Sequence, residues 1–520
     1  MSEFANEPLL ELRRAPERER LASALSELDG AGVLEIPTIV GGERRLAPTL
    51  ASLDPGNPAR VVALATVATA NEVSASVAAA TDAALAWGAT QASERAEVLS
   101  RAAAELRSSR YALAALEVRE CAKPWAEADA DVCEAIDFLE FYGRAALGLG
   151  RGEPLMQLRG EQNSLHYRPR GVLGVVAPWN FPVAIAAGMV AAGLATGNAV
   201  CFKPAEQAPA CAHALVEALL RAGLPPGAIS LLPGEGDVGA ALVAEPGVQT
   251  IAFTGSGAVG LEIIRRAADV IPGQKHLKRV IAEMGGKNCV IVDADADLDE
   301  AVPAVLASAF GFAGQKCSAA SRVLVHQRVA SRFAERLEGA LDTLLVGQAE
   351  SFGVDVPPLI DAAARDRVES MVADAAERAH SVLRVAEIPE GDGYFVAPTV
   401  LRGVDPTAPI LREEVFGPVV TVEAVAGVEH ACEIVDGLAH ALTGGLFSRN
   451  PRTVAAVTAR TPVGNLYVNR AITGAMVGRQ PFGGNRLSGT GTKVGHPHYL
   501  LNFVEPLVVS ENTARHGVTP

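Results

Sequence analysis

Among its seven cysteines the chain has no CxxC pair, and nowhere do Cys, His, Asp and Glu recur at the spacing of a metal site. That excludes a zinc ribbon and a thioredoxin-like redox motif. Odd in number and scattered at 121, 133, 201, 211, 289, 317 and 432, the thiols suit a reducing cytosol rather than a disulfide scaffold. Positive charge is short as well: 45 Lys and Arg face 60 Asp and Glu, for a net charge of −15 and a pI near 5.3. A nucleic acid or an anionic membrane is therefore a poor partner. The first residues, Met1 to Glu7, are acidic where a signal or transit peptide would be basic. No long apolar run survives inspection either: residues 171–202 carry no charge, but Pro178, Asn180 and Pro182 interrupt them. A buried strand, a loop and a buried helix are expected there, not a membrane span. Repeats, low-complexity tracts and disordered linkers are also missing; 353–358 and Gly391-Asp392-Gly393 read as surface loops.

What is present is an ordinary globular composition, 49% hydrophobic and 20% charged over 520 residues. That length exceeds what one core usually serves, so two or three domains are expected. A charged helix (Leu9 to Leu28) and a strand (Ile36 to Val40) precede the turn Asp54-Pro55-Gly56-Asn57-Pro58. Three helices should follow. Asn71 caps the first, which stops at Trp87-Gly88; Ser93 caps the second; the third starts near Pro124 and runs past Phe138 to Tyr142. Trp125, Phe138 and Phe141 read as core. Two extended runs in 153–168, about Arg159-Gly160, predict a hairpin suited to a partner subunit. From 171 to 284 strands and helices alternate, as in a parallel sheet wrapped by helices, with Ala187, Gly188 and Ala191 small enough for close packing. A second α/β series runs from Asn288 to about 475.

The chemistry gathers in residues 280–322. Glu283 and Cys317 lie 34 positions apart, separated by a glycine hinge (Gly285, Gly286), an apolar strand (Val290, Ile291, Val292) and a helix. A strand and a helix return the chain on itself, so a base and a nucleophile can share one end of a sheet. A lone cysteine is more often a small buried apolar residue. Gly314, Lys316 and Ser318 lift Cys317 above that reading, since room, a cation and a small polar neighbour favour thiolate. Upstream, Gly255-Ser256-Gly257-Ala258-Val259-Gly260 follows a strand and opens a helix, the context of a dinucleotide's phosphates. Glycines also serve tight turns, so the motif alone is weak. A ribose ligand should lie about 20 residues on; Glu283, 23 past Gly260, competes for that role with Glu206, which follows Lys203 at the end of an earlier strand.

Seven segments carry a family resemblance: Pro178-Trp179-Asn180-Phe181-Pro182, Phe202-Lys203-Pro204-Ala205-Glu206, Phe253-Thr254-Gly255-Ser256, Glu283-Met284-Gly285-Gly286-Lys287, Gly314-Gln315-Lys316-Cys317, Glu413-Glu414-Val415-Phe416-Gly417-Pro418 and Pro481-Phe482-Gly483-Gly484. In this order, over nearly the whole chain, they resemble the aldehyde dehydrogenase superfamily. Within it the chain is similar to Δ1-pyrroline-5-carboxylate (glutamate-semialdehyde) dehydrogenases, through Ala128 to Asp131, Glu134 to Phe138, Ala307 to Phe312, Lys316-Cys317-Ser318, Gly464 to Tyr467 and Thr473 to Ala475.

The resemblance implies an α/β fold of two Rossmann-like parallel-sheet domains plus a β-hairpin oligomerisation arm. Residues 1–150 and 170–284 would bind NAD, 285–496 would be catalytic, and 151–169 with 497–512 would form the arm, the run Leu500–Val509 joining a sheet shared between subunits of a homodimer or larger homo-oligomer. It implies a Cys317 nucleophile, an Asn180 oxyanion donor and Glu283 as general base. For the cofactor it implies Lys203 and Glu206 at the adenine ribose, Gly255, Ser256 and Gly260 at the pyrophosphate, Trp179 lining the cleft, and Glu414 with Phe416 at the nicotinamide ribose. Glu206 would repel a 2′-phosphate, favouring NAD over NADP. A small-molecule substrate, glutamate semialdehyde, would be held by Lys316, Ser318, Gly474 and Ala475, with Phe181 and Phe482 along its chain. No metal is implied. His496 and His498 lie two apart without a third ligand and read as surface loop. A different small aldehyde, or a silent nucleotide-binding protein, are the rival readings.

Overall fold

The computed structural model describes residues 3–385 and 387–514, so the first two residues of the acidic N-terminal stretch lie outside it. Its centre is a seven-stranded sheet in the order Arg279–Glu283, Thr250–Thr254, Val172–Val176, Ala199–Lys203, Ile229–Leu231, Thr38–Val40, Glu43–Arg45. The first five strands are parallel, and the last two antiparallel. The run without charge is indeed a strand, a loop and the helix Ala184–Ala195, buried at every position but Ile185. Small residues set its distance: a Cβ on Gly188 would lie 3.2 Å from the Phe138 ring, and one on Gly193 would meet Leu173 at 2.4 Å. Among the described residues no helix is long and apolar enough to cross a membrane.

A second seven-stranded sheet, parallel except at one edge pair, runs Ser381–Arg384, Thr399–Arg402, Val419–Val425, Ala320–His326, Asn288–Val292, Thr443–Phe447, Asn465–Val468. Each sheet has its own apolar core. Residues 476–496 then cross back, Val477 entering the first core and Gly489 forming a bridge with Glu283.

Several local expectations are corrected. The helix Ala70–Ala89 is capped by Thr69, not Asn71, because Glu72 returns a bond to Thr69 N and completes a capping box. Helix Ala92–Ser108 starts before Ser93, and four helices fill 70–149, since Arg110–Cys121 stands apart from Trp125–Leu149. Pro37 splits the N-terminal strand into Leu34–Ile36 and Thr38–Val40, which join different sheets. The hairpin at 153–168 is not formed as such. Only Glu161–Pro169 is a strand, and its nine-residue antiparallel ladder is with Val504–Asn512. Pro154 lacks an N–H for a competing ladder, and Glu153 makes one isolated bridge to Leu165.

Candidate active site

In the first sheet the chain leaves strand Val172–Val176 toward one side and returns for Thr250–Thr254 on the other. At this reversal a crevice opens beyond the carboxyl ends of the strands. Register aligns what it holds: Val176 lies beside Lys203 and Thr254 beside Glu283, and Gly255 N donates to the Glu283 carbonyl at 3.1 Å. The crevice is a cavity of about 890 Å3. It brings together Cys317, Glu283, Asn180, Trp179, Phe181, Gly255, Ser256, Glu414, Phe416, Lys316, Ser318, Gly474, Ala475 and Phe482. Lys203, Glu206 and Gly260 are outside its wall.

Cys317 is presented by a tight backbone. Phe312 and Ala313 both take φ of 53° and Gly314 takes 69°. A Cβ on Gly314 would lie 2.3 Å from the Gly417 carbonyl, so this position requires glycine. Asn288 Nδ2 donates to the Cys317 carbonyl at 2.7 Å, fixing the peptide from behind, while the N–H groups of Cys317 and Ser318 point at Sγ. Burial, then the charges of Glu414 and Glu283, push the thiol up to about 12. The expected help from Lys316 is absent. Its ammonium is spent on Glu127, at 2.6 Å.

Asn180 is 4% exposed and held from two directions: its Nδ2 donates to the Gln315 carbonyl at 3.0 Å, and its own carbonyl accepts from Lys123 Nζ at 3.0 Å. One amide N–H remains unspent. Glu283 ends its strand under a glycine loop; its Oε2 accepts from Gly484 N at 2.9 Å, while Oε1 is buried without a partner. A Cβ on Gly489 would come within 2.9 Å of Oε2. Burial pushes the carboxyl up to about 8, against the Gly484 N–H and the Lys493 charge. Glu414 Oε1 accepts from Gly286 N at 3.0 Å; a Cβ on Gly285 would collide with Glu414 Oε2 at 2.1 Å, and one on Gly286 would meet Asn288 Oδ1 at 2.6 Å.

Lys203 Nζ pairs with Glu206 at 3.1 Å where their strand ends. Ser256 caps helix Gly257–Ala268 at the rim of the crevice. Gly260 is buried, and a Cβ there would meet Met284 at 2.5 Å; its part is to let this helix sit against the sheet. Trp179 stands edge-on to Phe416, 5.8 Å between centroids. Gly474 takes φ of 75° with open space where a Cβ would be. His496 and His498 meet edge-to-face with 4.5 Å between centroids, His496 Nδ1 accepting from His498 N, and no metal-binding cluster exists among the described residues.

Sequence reasoning missed four contributors. Glu127 and Glu134 face the cavity, Glu134 with its carboxyl pushed up to about 8 by burial and by Asp131. Lys123 and Lys493 work from behind it; Lys493 Nζ donates to the carbonyls of Gly464 and Gly483, bracing the loop that holds Glu283. For the two glutamates the available signal was an excess of acid in helix Trp125–Leu149, whose mean character is otherwise apolar.

A half-buried thiol, an amide donor and a buried carboxylate beside a dinucleotide-type crevice define a cysteine-dependent oxidoreductase acting on carbonyl carbon. The chain belongs to the aldehyde dehydrogenase family, whose model matches residues 45–509. It is 41% identical over 510 residues to 1-pyrroline-5-carboxylate dehydrogenase of Geobacillus kaustophilus, covering 98% of this chain and 99% of that one. It is 39% identical over 510 residues, with the same coverage, to 1-pyrroline-5-carboxylate dehydrogenase 2 of Bacillus subtilis. Among solved structures it superposes on 1-pyrroline-5-carboxylate dehydrogenase from Thermus with bound NAD, with a TM-score of 0.96 at 40% identity over 98% of this chain and 99% of that one. Proline utilization A from Bdellovibrio bacteriovorus gives a TM-score of 0.97 at 43% identity over all of this chain, which spans 54% of that longer one.

Proposed function

We propose that this chain oxidises L-glutamate γ-semialdehyde, the open form of Δ1-pyrroline-5-carboxylate, to L-glutamate with NAD, the last step of proline catabolism. The observation that carries it is the single cavity shared by Cys317, Asn180 and Glu283, in a chain so similar over its full length to dehydrogenases of that name. Residues 1–150 and 170–284 would hold the dinucleotide and 285–496 the nucleophile.

The residues present fit NAD. Glu414 keeps Oε2 unbonded within the crevice, Ser256 heads a helix N-terminus at its rim, and Glu206 offers a carboxylate near Lys203 for ribose hydroxyls. Bound there, NAD supplies the hydride acceptor. The protein's own groups do the rest. Cys317 Sγ gives up its proton to water and attacks the aldehyde carbon, and the developing oxyanion is met by the free Asn180 N–H and the Cys317 backbone N–H. Loss of hydride from the thiohemiacetal leaves a thioester on Cys317. Glu283 takes a proton from the water that hydrolyses it. Ser318 with the backbone N–H groups of Gly474 and Ala475 receives the α-carboxylate, Phe181 and Phe482 flank the chain, and Glu134 answers the ammonium. Lys316, neutralised by Glu127, contributes shape more than charge. The seven thiols, none in a disulfide, suit a reducing cytoplasm.

Steady-state NADH production from pyrroline-5-carboxylate, succinic semialdehyde and propanal tests this directly. The expected kcat/KM for pyrroline-5-carboxylate exceeds the others by at least about 10²-fold, with NAD favoured over NADP by about tenfold or more. Preference for an aldehyde without the amino-acid head rejects the substrate, and no NADH from any aldehyde despite nucleotide binding rejects the enzyme.

The ribbon of Glu161–Pro169 and Val504–Asn512 supports a homo-oligomer. Two strands standing as a sheet of their own are marginal in water, and Val508 and Val509 are exposed on it. A second copy adding to its free edge would extend the ladder into a wider sheet. Truncation after residue 503 should lower the mass seen by sedimentation, whereas an unchanged assembly removes the ribbon from the interface.

A further inference from the structure

Only seven of the 45 Lys and Arg residues are lysines, and four of them, Lys123, Lys203, Lys287 and Lys316, are buried. Arginine does most of the cationic work on this surface, which marks the lysines as places where a compact ammonium is required. Lys123 is the deepest, with no exposed surface, and it is not part of the cavity wall. Its Nζ donates to the Asn180 carbonyl at 3.0 Å and lies 3.9 Å above the Phe181 ring, with Phe312 at 5.4 Å. Asp131 at 3.3 Å and Glu117 at 3.6 Å face it. Burial and the Asp131 charge hold the Glu117 carboxyl well above its usual range, so one ammonium is balanced by one carboxylate. Asp131 Oδ2 also accepts from Val183 N at 3.1 Å and Ala184 N at 3.3 Å, the start of helix Ala184–Ala195. The loop that carries Asn180 and Phe181 is thus gripped on both sides by one buried ion pair, the ammonium on a carbonyl and the carboxylate on the N–H groups that follow.

We propose that Lys123, with Asp131, is a positioning residue of the oxyanion site, aiming the Asn180 amide at the carbon attacked by Cys317. The inference rests on Asn180 being the oxyanion donor. A buried pair kept for stability alone could be replaced by hydrocarbon of similar volume with little loss. An aimed donor could not, because a displacement near 1 Å costs about 10²-fold in rate.

A double-mutant cycle separates these roles. Lys123→Met combined with Asp131→Asn removes both charges and strands neither. In the Asn180 background it should lower kcat/KM for pyrroline-5-carboxylate by about 10²-fold, and in the Asn180→Ala background by less than about threefold. NAD affinity, read by protein fluorescence, should not change. Should the neutral pair not fold, Lys123→Arg, which keeps the charge and moves its donors, enters the same cycle with the same expectation. Wild-type kcat/KM in Asn180→Ala alone would sink the oxyanion assignment itself. If Asn180→Ala is impaired but the cost of changing Lys123 is equal in both backgrounds, the positioning role of Lys123 is overturned.

Discussion

Cys317→Ala should abolish aldehyde oxidation, by at least about 10⁴-fold in kcat, while the protein still folds and binds NAD. The side chain makes no hydrogen bond that supports the fold: its peptide carbonyl, not its sulfur, is what Asn288 holds. Cys121, Cys201 and Cys211, by contrast, have no exposed surface, whereas the Cys317 sulfur opens onto the cavity. Alkylation should therefore find Cys317 first, and mass spectrometry of tryptic peptides after one equivalent of iodoacetamide reads this. With the thiol pushed up to about 12 by burial, Glu414 and Glu283, labelling of the free enzyme should keep accelerating with pH beyond about 10, where an ordinary thiol has levelled off. A plateau near pH 7 would mean a preformed thiolate, and activity in the alanine variant would end the nucleophile assignment.

How much of this could be read from the residues follows from the range of the forces involved. The parallel strands were legible because each is a short β-branched or apolar run bounded by Gly, Pro or Asn, as the run Val290 to Val292 shows inside the strand Asn288–Val292. Their order was not, because register between strands is a long-range property. In the site, spacing brought Cys317 and Glu283 to one region, but it gave no sign of Glu127, which is 189 residues from Lys316 and cancels the charge expected to help the thiol. The same holds for Lys123 and Asn180, 57 residues apart. The hairpin failed for a related reason: a local turn at Gly160 was visible, whereas a ladder to a strand at the far end of the chain was not. The crossing segment 476–496 supplies the Gly484 N–H to Glu283 across 201 residues, and only the folded chain shows it.

That contact shapes the second large effect, Glu283→Gln. Glutamine keeps an oxygen for the Gly484 N–H, so the glycine loop should stay in place and the loss should be one of basicity. Glu283 is pushed up to about 8, by burial first, so below that pH the carboxyl holds its proton and cannot take one from water. Thioester hydrolysis in the natural protein should rise with pH through about 8 and level above it. In the glutamine variant the rise should vanish and the steady-state rate fall by about 10²- to 10⁴-fold. Hydride loss does not need this base. A single turnover of NADH per site should therefore survive, and acid-quenched protein should carry an acyl group on Cys317 that intact-mass measurement detects. If Glu283 bound ribose instead, the variant would weaken NAD binding and leave no acyl group behind, with the pH profile unmoved. An undiminished steady-state rate would leave the water without a base at this position, and Glu134, the other cavity carboxyl raised to about 8, would be the next group to test.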